Sequence, residues 1–227
     1  KMDIHWCTKT ELKITAAKHI IPTRVVIDIG AGIQPQKIFK PTVHVVIDPY
    51  LPYIDVLKEK NKSANSMVFL HGTWDQTLPL FSDKSVDTIF ALDVIEHFEK
   101  EAGLRFLKEA ERVARKQIVI FTPLGMYEQD YDESDLTDRW GMQGGYWQSH
   151  RSGWTPEDFD AGWEFFVSKD FHAVDQHNAK LDYPQGAFWA IKTFTTAPIS
   201  LRQNIKYLLL KIMVKAKSLM KKMLGKN

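Results

Sequence analysis

The chain has one cysteine, Cys7, among 227 residues. A lone thiol forms no internal disulfide and fits a reducing compartment. It also excludes an iron–sulfur cluster held by three cysteines of this chain. No apolar run approaches the roughly 20 residues that cross a bilayer, and no secretory signal is visible. The chain begins at Lys1 rather than Met, which leaves the natural N-terminus open. Acid is missing from one end. From Pro198 onward stand Arg202, Lys206, Lys211, Lys215, Lys217, Lys221, Lys222 and Lys226, with no Asp or Glu. Set against a net charge of +2, these leave an acidic balance of about −6 on residues 1–197. An acidic body is a poor match for nucleic acid. No Asn-Pro-Pro-Tyr-type motif for a base amine occurs, nor any internal repeat or low-complexity segment. The expectation is a cytoplasmic protein with no nucleic-acid partner.

What is present begins with Val25-Val26-Ile27-Asp28-Ile29-Gly30-Ala31-Gly32, then Val45-Val46-Ile47-Asp48. Each β-branched run ends near an acid, and the first breaks into a Gly-x-Gly turn. That pattern builds the first two strands of a nucleoside-binding α/β sheet. Further strands are expected at Met67–His71, Val86–Leu92, Gln117–Phe121, Glu164–Lys169 and Ala187–Phe194. Helices are expected over residues 8–20, Tyr53–Lys62 and Glu99–Arg115, the last with a one-sided apolar face. Thr155-Pro156-Glu157-Asp158 reads as a capped helix start. Alternating strands and helices imply a mostly parallel sheet covered on both faces. Between Pro123 and Trp154 the rhythm breaks into a segment dense in aromatics and acids. Loops of that length are functional or disordered as a rule. Residues 1–197 are therefore read as one domain, with 123–154 as a lid or acceptor segment and 198–227 as a basic amphipathic C-terminal helix.

Gly30 and Gly32 let the backbone turn sharply and approach a ligand closely. A dinucleotide fold wants a third glycine where Pro35 stands. Proline lacks the N–H that a pyrophosphate needs, which speaks against a nicotinamide cofactor. A nucleoside without phosphates, such as S-adenosyl-L-methionine, does not need it. Asp48 can accept hydrogen bonds from both ribose hydroxyls. Asp28 can face the cationic end of such a ligand.

These segments, with Gly72-Thr73-Trp74-Asp75, the long run Val86 to His97 ending Asp93-Val94-Ile95-Glu96-His97, and Ile118 to Pro123, resemble class I S-adenosylmethionine-dependent methyltransferases. They occur in family order across roughly residues 10–195. The resemblance implies a Rossmann-like seven-stranded sheet with its last strand antiparallel. It implies the methionine end of the cofactor near Asp28, Gly30, Ala31 and Gly32, and the ribose on Asp48. Adenine would lie near Thr73, Trp74 and Asp75, and the sulfonium beside Leu92 and Asp93. Gln34 and Thr73 depart from the family pattern, at a third glycine and at an adenine-contacting Asp.

Methyl transfer is an in-line displacement in which the protein mainly aligns the reacting atoms. An oxygen nucleophile also needs to lose its proton, which calls for a base. His97 and His150 are the candidates; each can equally be a packed or loop-bonded histidine. Glu96 reads as structural or as a remote charge. The segments Thr122 to Met126 and His150 to Trp154 look like those of bacterial methyltransferases of surface-polysaccharide biosynthesis. That likeness puts Tyr127, Arg151 and Trp154 against a small-molecule or glycan acceptor. Aromatic faces in this loop suit sugar rings, or pack over the sheet. Asp130, Asp132, Glu133, Asp135 and Asp138 read as a solvated acidic lid rather than a cation loop, and no metal is expected. The basic tail, 199–224, can lie on an anionic membrane surface or pack on protein. The leading reading is O-methylation of a small molecule or glycan. Its rivals are a catalytically silent cofactor-binding scaffold and a nucleic-acid methyltransferase.

Overall fold

The β-branched runs become the centre of an eight-stranded sheet in the computed structural model, which describes residues 3–194. In chain order the elements are β1 (Asp3–Trp6), α1 (Lys9–Ala17), β2 (Val25–Ile29), β3 (Val43–Asp48), α2 (Leu51–Lys60), β4 (Met67–His71), α3 (Trp74–Thr77), β5 (Val86–Leu92), α4 (Lys100–Val113), β6 (Ala114–Pro123), α5 (Gly145–Gln148), β7 (Trp163–Val174) and β8 (Lys180–Thr193). The spatial order is β1-β7-β8-β6-β5-β2-β3-β4. β8 runs antiparallel to β6 and β7, and every other pair is parallel. The reversal between β3-β2 and β5-β6 opens a crevice at the strands' carboxyl ends, where such sheets take ligands.

Alternate side chains feed two cores. Ile27, Ile29, Ile89, Ala91, Ile118 and Ile120 point to one face, where Phe106, Leu107, Ala110 and Val113 of α4 cover them. Val26, Phe90, Val119 and Phe166 point to the other, under Leu12 and Ala16 of α1. Each large apolar side chain so buried contributes roughly 1.5–3 kcal/mol. Asp87, at the start of β5, fastens the centre. Its carboxylate accepts the Arg24 and Val25 N–H groups at 3.1 Å each and pairs with Arg115 and Lys116. Burial pushes its pKa up, but these partners outweigh that and hold it at about 2.

The structure departs from the sequence expectation in four places. The sheet has eight strands, because β1 pairs in parallel with β7 at one edge; four half-exposed residues carry no readable period. No helix fills the crossover from β2 to β3. Pro35 and Pro41 oppose one, and Gln36 takes the Ile38 N–H with its side-chain oxygen and bonds Phe39 O with its amide nitrogen. The capped start at Thr155 yields a single 3-10 turn, Pro156–Asp158, with its capping box intact. Finally, β7 and β8 run well past the expected strands into an exposed arm, paired at His172↔Gln185 and Val174↔Lys180. The lid leaves β6 and returns at Trp154, where Gly125 N–H donates to Trp154 O at 2.7 Å. No helix among the described residues is long and apolar enough to cross a membrane. The expected helix at 198–227, with its membrane contact through 199–224, lies outside the described residues.

Candidate active site

Gly30 and Gly32 have φ of 60° and 54°, left-handed values that favour glycine. The turn they make is held from both sides. Gly30 N–H donates to Ile47 O, and Gly32 N–H donates to the Asp48 carboxylate at 2.9 Å. Asp28 holds the far end of the loop. Its carboxylate accepts the Gln36 N–H at 2.7 Å and faces His44 Nε2 at 3.3 Å. It is buried on the α1 side of the sheet and does not reach the crevice. The expectation that Asp28 faces a cationic ligand is therefore corrected. Ile27 and Ile29 occupy the opposite face, so alternation turns Asp28 away and its acceptor capacity goes to the loop.

One cleft of about 1190 Å³ spans the carboxyl ends of the strands. It is lined by Gly30, Ala31, Gly32, Asp48, Thr73, Trp74, Asp75, Leu92 and Asp93, and further along by His97, Tyr127, His150 and Arg151. Asp48 sits at its floor, 3% exposed. Its oxygens accept the Gly32 and Tyr50 N–H groups. A carboxylate has about four acceptor positions, so two remain for a vicinal diol. Burial pushes its pKa up to about 6. Thr73 caps α3, and its hydroxyl donates to Asp75 Oδ1 at 2.5 Å. Trp74 lies against Phe98 and Phe106 with its flank on the cleft.

Over the glycine turn lies Trp140, one of the aromatic residues of the 123–154 segment. A Cβ built on Gly32 would come within 2.2 Å of its ring. Trp140 meets Tyr53 of α2 edge-on at 5.0 Å. The Tyr53 hydroxyl donates to Asp138 and accepts from Gln148 Nε2 at 2.9 Å. Asp138 also accepts the N–H groups of Trp140, Met142 and Gly144. Asp138 is 5% exposed, so it is the knot of the lid and not one of its solvated acids. Asp132, Glu133 and Asp135 are exposed. Only a fold that brings α2 against residues 138–148 reveals this role; the nearest sequence signal is the pair of small residues Gly144-Gly145.

At the other end of the cleft, the 3-10 turn Ile95–His97 is bound to the lid's return strand. Glu96 O accepts the N–H groups of Arg151 and Ser152, and Arg151 Nη1 donates to His97 O at 2.9 Å. His97 Nδ1 lies 3.2 Å from Ser149 O, and His150 Nδ1 lies 2.6 Å from Tyr127 O. A carbonyl only accepts, so each ring carries its proton on Nδ1, which leaves the lone pair on Nε2; the Asp93 backbone also lies against the His97 ring. Their centroids are 5.0 Å apart. Burial, then the neighbouring His150, lowers the His97 pKa to about 3; burial lowers that of His150 as well. Glu96 is 2% exposed; Oε2 accepts the Thr122 hydroxyl at 2.9 Å, and Oε1 has no partner. Burial pushes its pKa well up, and the nearby Asp93 adds to the rise. The arm adds His172, stacked on Tyr127 at 4.7 Å, with a buried Nε2 that also lacks a partner.

Trp154 is corrected too. It is fully buried, with Nε1–H donating to Ser152 Oγ at 2.9 Å and Ile95 O at 3.2 Å. A Cβ on Gly103 of α4 would come within 2.3 Å of its ring. It anchors the lid to the core and touches no part of the cleft. A large indole next to a site reads as a ligand surface in sequence, but hydrophobic transfer takes it inside.

Residues 27–121 match the profile of a family described as a methyltransferase domain. No curated protein matches the chain. Among solved structures, a putative methyltransferase of Bacillus halodurans is similar at 14% identity, covering 79% of this chain and 96% of that one, with a TM-score of 0.51. The YcgJ protein of Bacillus subtilis has 14% identity, 82% and 99% coverage and a TM-score of 0.51. A SAM-dependent methyltransferase of Leishmania major has 10% identity, 81% and 70% coverage and a TM-score of 0.51. At such identities these likenesses show the Rossmann-like fold. Residues 27–121 are thus similar to a methyltransferase domain, and S-adenosyl-L-methionine is the cofactor this likeness supports. The cleft suits it: a glycine turn that offers close backbone approach, and a floor carboxylate with two unused acceptor positions.

Proposed function

We propose that this S-adenosylmethionine-dependent methyltransferase methylates an oxygen of a small molecule or glycan, such as a surface-polysaccharide precursor. The observation that carries this reading is the pair of neutral imidazoles, His97 and His150, at the end of the cleft opposite Asp48. When bound, the cofactor supplies an activated methyl group on a sulfonium. Asp48 would hold the ribose diol, and the turn Gly30-Ala31-Gly32 would lie along the methionine end. Leu92 and Asp93 would flank the sulfur, and Thr73, Trp74 and Asp75 the adenine. Tyr127 and Arg151 would bound the acceptor. The acceptor hydroxyl must lose its proton as the carbon–sulfur bond gives way to the new carbon–oxygen bond, and an imidazole Nε2 at this end of the cleft would take that proton. His150 is the better recipient, because a conjugate acid of pKa about 3 makes His97 a weak base.

Labelled donor incubated with neutral glycans, nucleotide sugars and small hydroxylated metabolites tests the reading. Label should enter an ether oxygen in one of these pools, with S-adenosylhomocysteine as coproduct. His150→Gln should lower kcat by about 10²–10⁴-fold, the span of general-base contributions, while leaving S-adenosylhomocysteine affinity in place. Label confined to RNA or DNA would defeat the proposal. Cofactor binding with no turnover on any pool would instead support a silent scaffold.

A further inference from the structure

The acceptor end of the cleft gathers ligand atoms that ordinary packing leaves unused. A carboxylate oxygen of Glu96 and a ring nitrogen each of His97 and His150 lie within 4.8 Å of one another. Glu96 Oε1 is buried and has no hydrogen-bond partner. Buried polar atoms are nearly always satisfied, so this orphan marks a missing partner. Both Nδ1–H groups are committed to backbone carbonyls, of Ser149 and Tyr127. Metal-binding histidines are commonly held this way, the second nitrogen fixed so that the first presents its lone pair. Glu96 Oε2 is likewise fixed by the Thr122 hydroxyl. The supporting backbone of 96–98 accepts four hydrogen bonds from Arg151 and Ser152.

We infer that Glu96, His97 and His150 form a site for a divalent first-row transition-metal ion of the zinc type, with the acceptor's oxygen as a further ligand. Two imidazoles and one carboxylate favour zinc, cobalt, iron or manganese over magnesium, which prefers all-oxygen sets. Three protein ligands leave an open position, the arrangement of reactive rather than structural sites. Ligand atoms about 2.0–2.2 Å from a tetrahedral ion lie about 3.3–3.5 Å from one another, so binding would draw the three side chains in from separations that are at most 4.8 Å here. The inference deepens the proposed function, since the ion would lower the pKa of the bound acceptor hydroxyl so that its proton leaves to water in the open cleft, and His150 would then hold the ion instead of taking that proton. It rests on that reading for the acceptor alone. Binding of the ion stands on the three side chains.

The test uses the full chain, stripped with chelator and then given Zn2+ or Co2+ without cofactor or acceptor. One Zn2+ per chain should remain after dialysis, and Co2+ should give the visible absorption of a low-coordinate nitrogen–oxygen site. Glu96→Gln and His150→Asn should each weaken binding by about 10–100-fold or more. His5→Asn is the control, because Asp3, His5 and Glu164 form an exposed second cluster. The S-adenosylhomocysteine melting shift of each variant reports whether it folds, and His150→Asn, in a half-buried loop position, serves if Glu96→Gln does not. The inference is overturned if no ion is retained, or if binding survives His150→Asn and is lost in His5→Asn. A retained ion without methyl transfer to any hydroxyl would defeat the proposed function and leave the metal site standing.

Discussion

Asp48→Ala is the substitution on which the cofactor reading turns. In the free protein the Asp48 carboxylate is buried and its pKa is raised to about 6. Against an ordinary value of 3.8, that corresponds to a penalty of about 3 kcal/mol for the charged form near neutral pH. That net value already contains the Gly32 and Tyr50 N–H bonds, which lower it; removing the side chain relieves the penalty but leaves those two N–H groups without their acceptor, at about 1–3 kcal/mol each. Removing the side chain should therefore leave the melting temperature of the free protein nearly unchanged. Ligand affinity should not be spared. Two charge-assisted bonds to a ribose diol are worth roughly 3 kcal/mol even at the low end of their range, so S-adenosylhomocysteine should bind about 100-fold more weakly. A pH series sharpens the test, because the two effects have opposite signs. The folded pKa lies above the unfolded one, so stability from this group is full below about pH 4 and is lost as pH rises through about 6. Binding runs the other way, since a protonated carboxyl loses acceptor positions. Affinity should fall below pH 6, by up to about tenfold per unit, and Asp48→Ala should abolish that dependence. Calorimetry between pH 5 and 8 measures both. Equal affinities for the two proteins, or the same pH slope in both, would refute the assignment.

Three further outcomes follow from the geometry. Trp154→Ala should cost about 3–5 kcal/mol of stability, as removal of a buried indole does; denaturant unfolding reads it, and an intact melting temperature would return Trp154 to the acceptor surface. Asp87→Asn should cost about 2 kcal/mol at neutral pH and almost nothing near pH 2, because the folded pKa lies below the unfolded one and the stabilisation disappears as pH falls from about 4 through 2. Urea midpoints across that range check the sign. Asp138→Ala frees the Tyr53 hydroxyl and three lid N–H groups, so residues 127–150 should become protease-sensitive while the sheet keeps its hydrogen-exchange protection. Uniform loss of protection would mean that the lid and sheet unfold together.

The reading of the sheet came through well where one residue type dominated. Val86–Leu92 appears at its expected bounds, because a strand buried on both faces must be largely apolar; the edge strand Met67–His71, none of whose residues is buried, keeps its expected bounds as well. The strand β1 and the β7–β8 arm were not legible. Their residues are half-exposed or exposed, and backbone pairing with a neighbour leaves no mark on composition. The turn at Gly30 and Gly32 was legible, since left-handed φ values select glycine. Which way its neighbouring acids point was not.

From the sequence alone, the alternation of apolar strands with helices, the glycine turn and the place of Asp48 at the end of the second run were determined, because local periodicity and backbone conformation are written residue by residue. Only tertiary structure sent Asp28 and Trp154 inward, seated Trp140 on the glycine turn, made Asp138 the knot of the lid and set Glu96 beside His97 and His150. Apart from Asp28, whose partners Gln36 and His44 lie close in sequence, those outcomes depend on contacts between segments 50 or more positions apart. There the burial of one side chain is decided by what a distant segment leaves exposed, and no neighbouring residue carries that information.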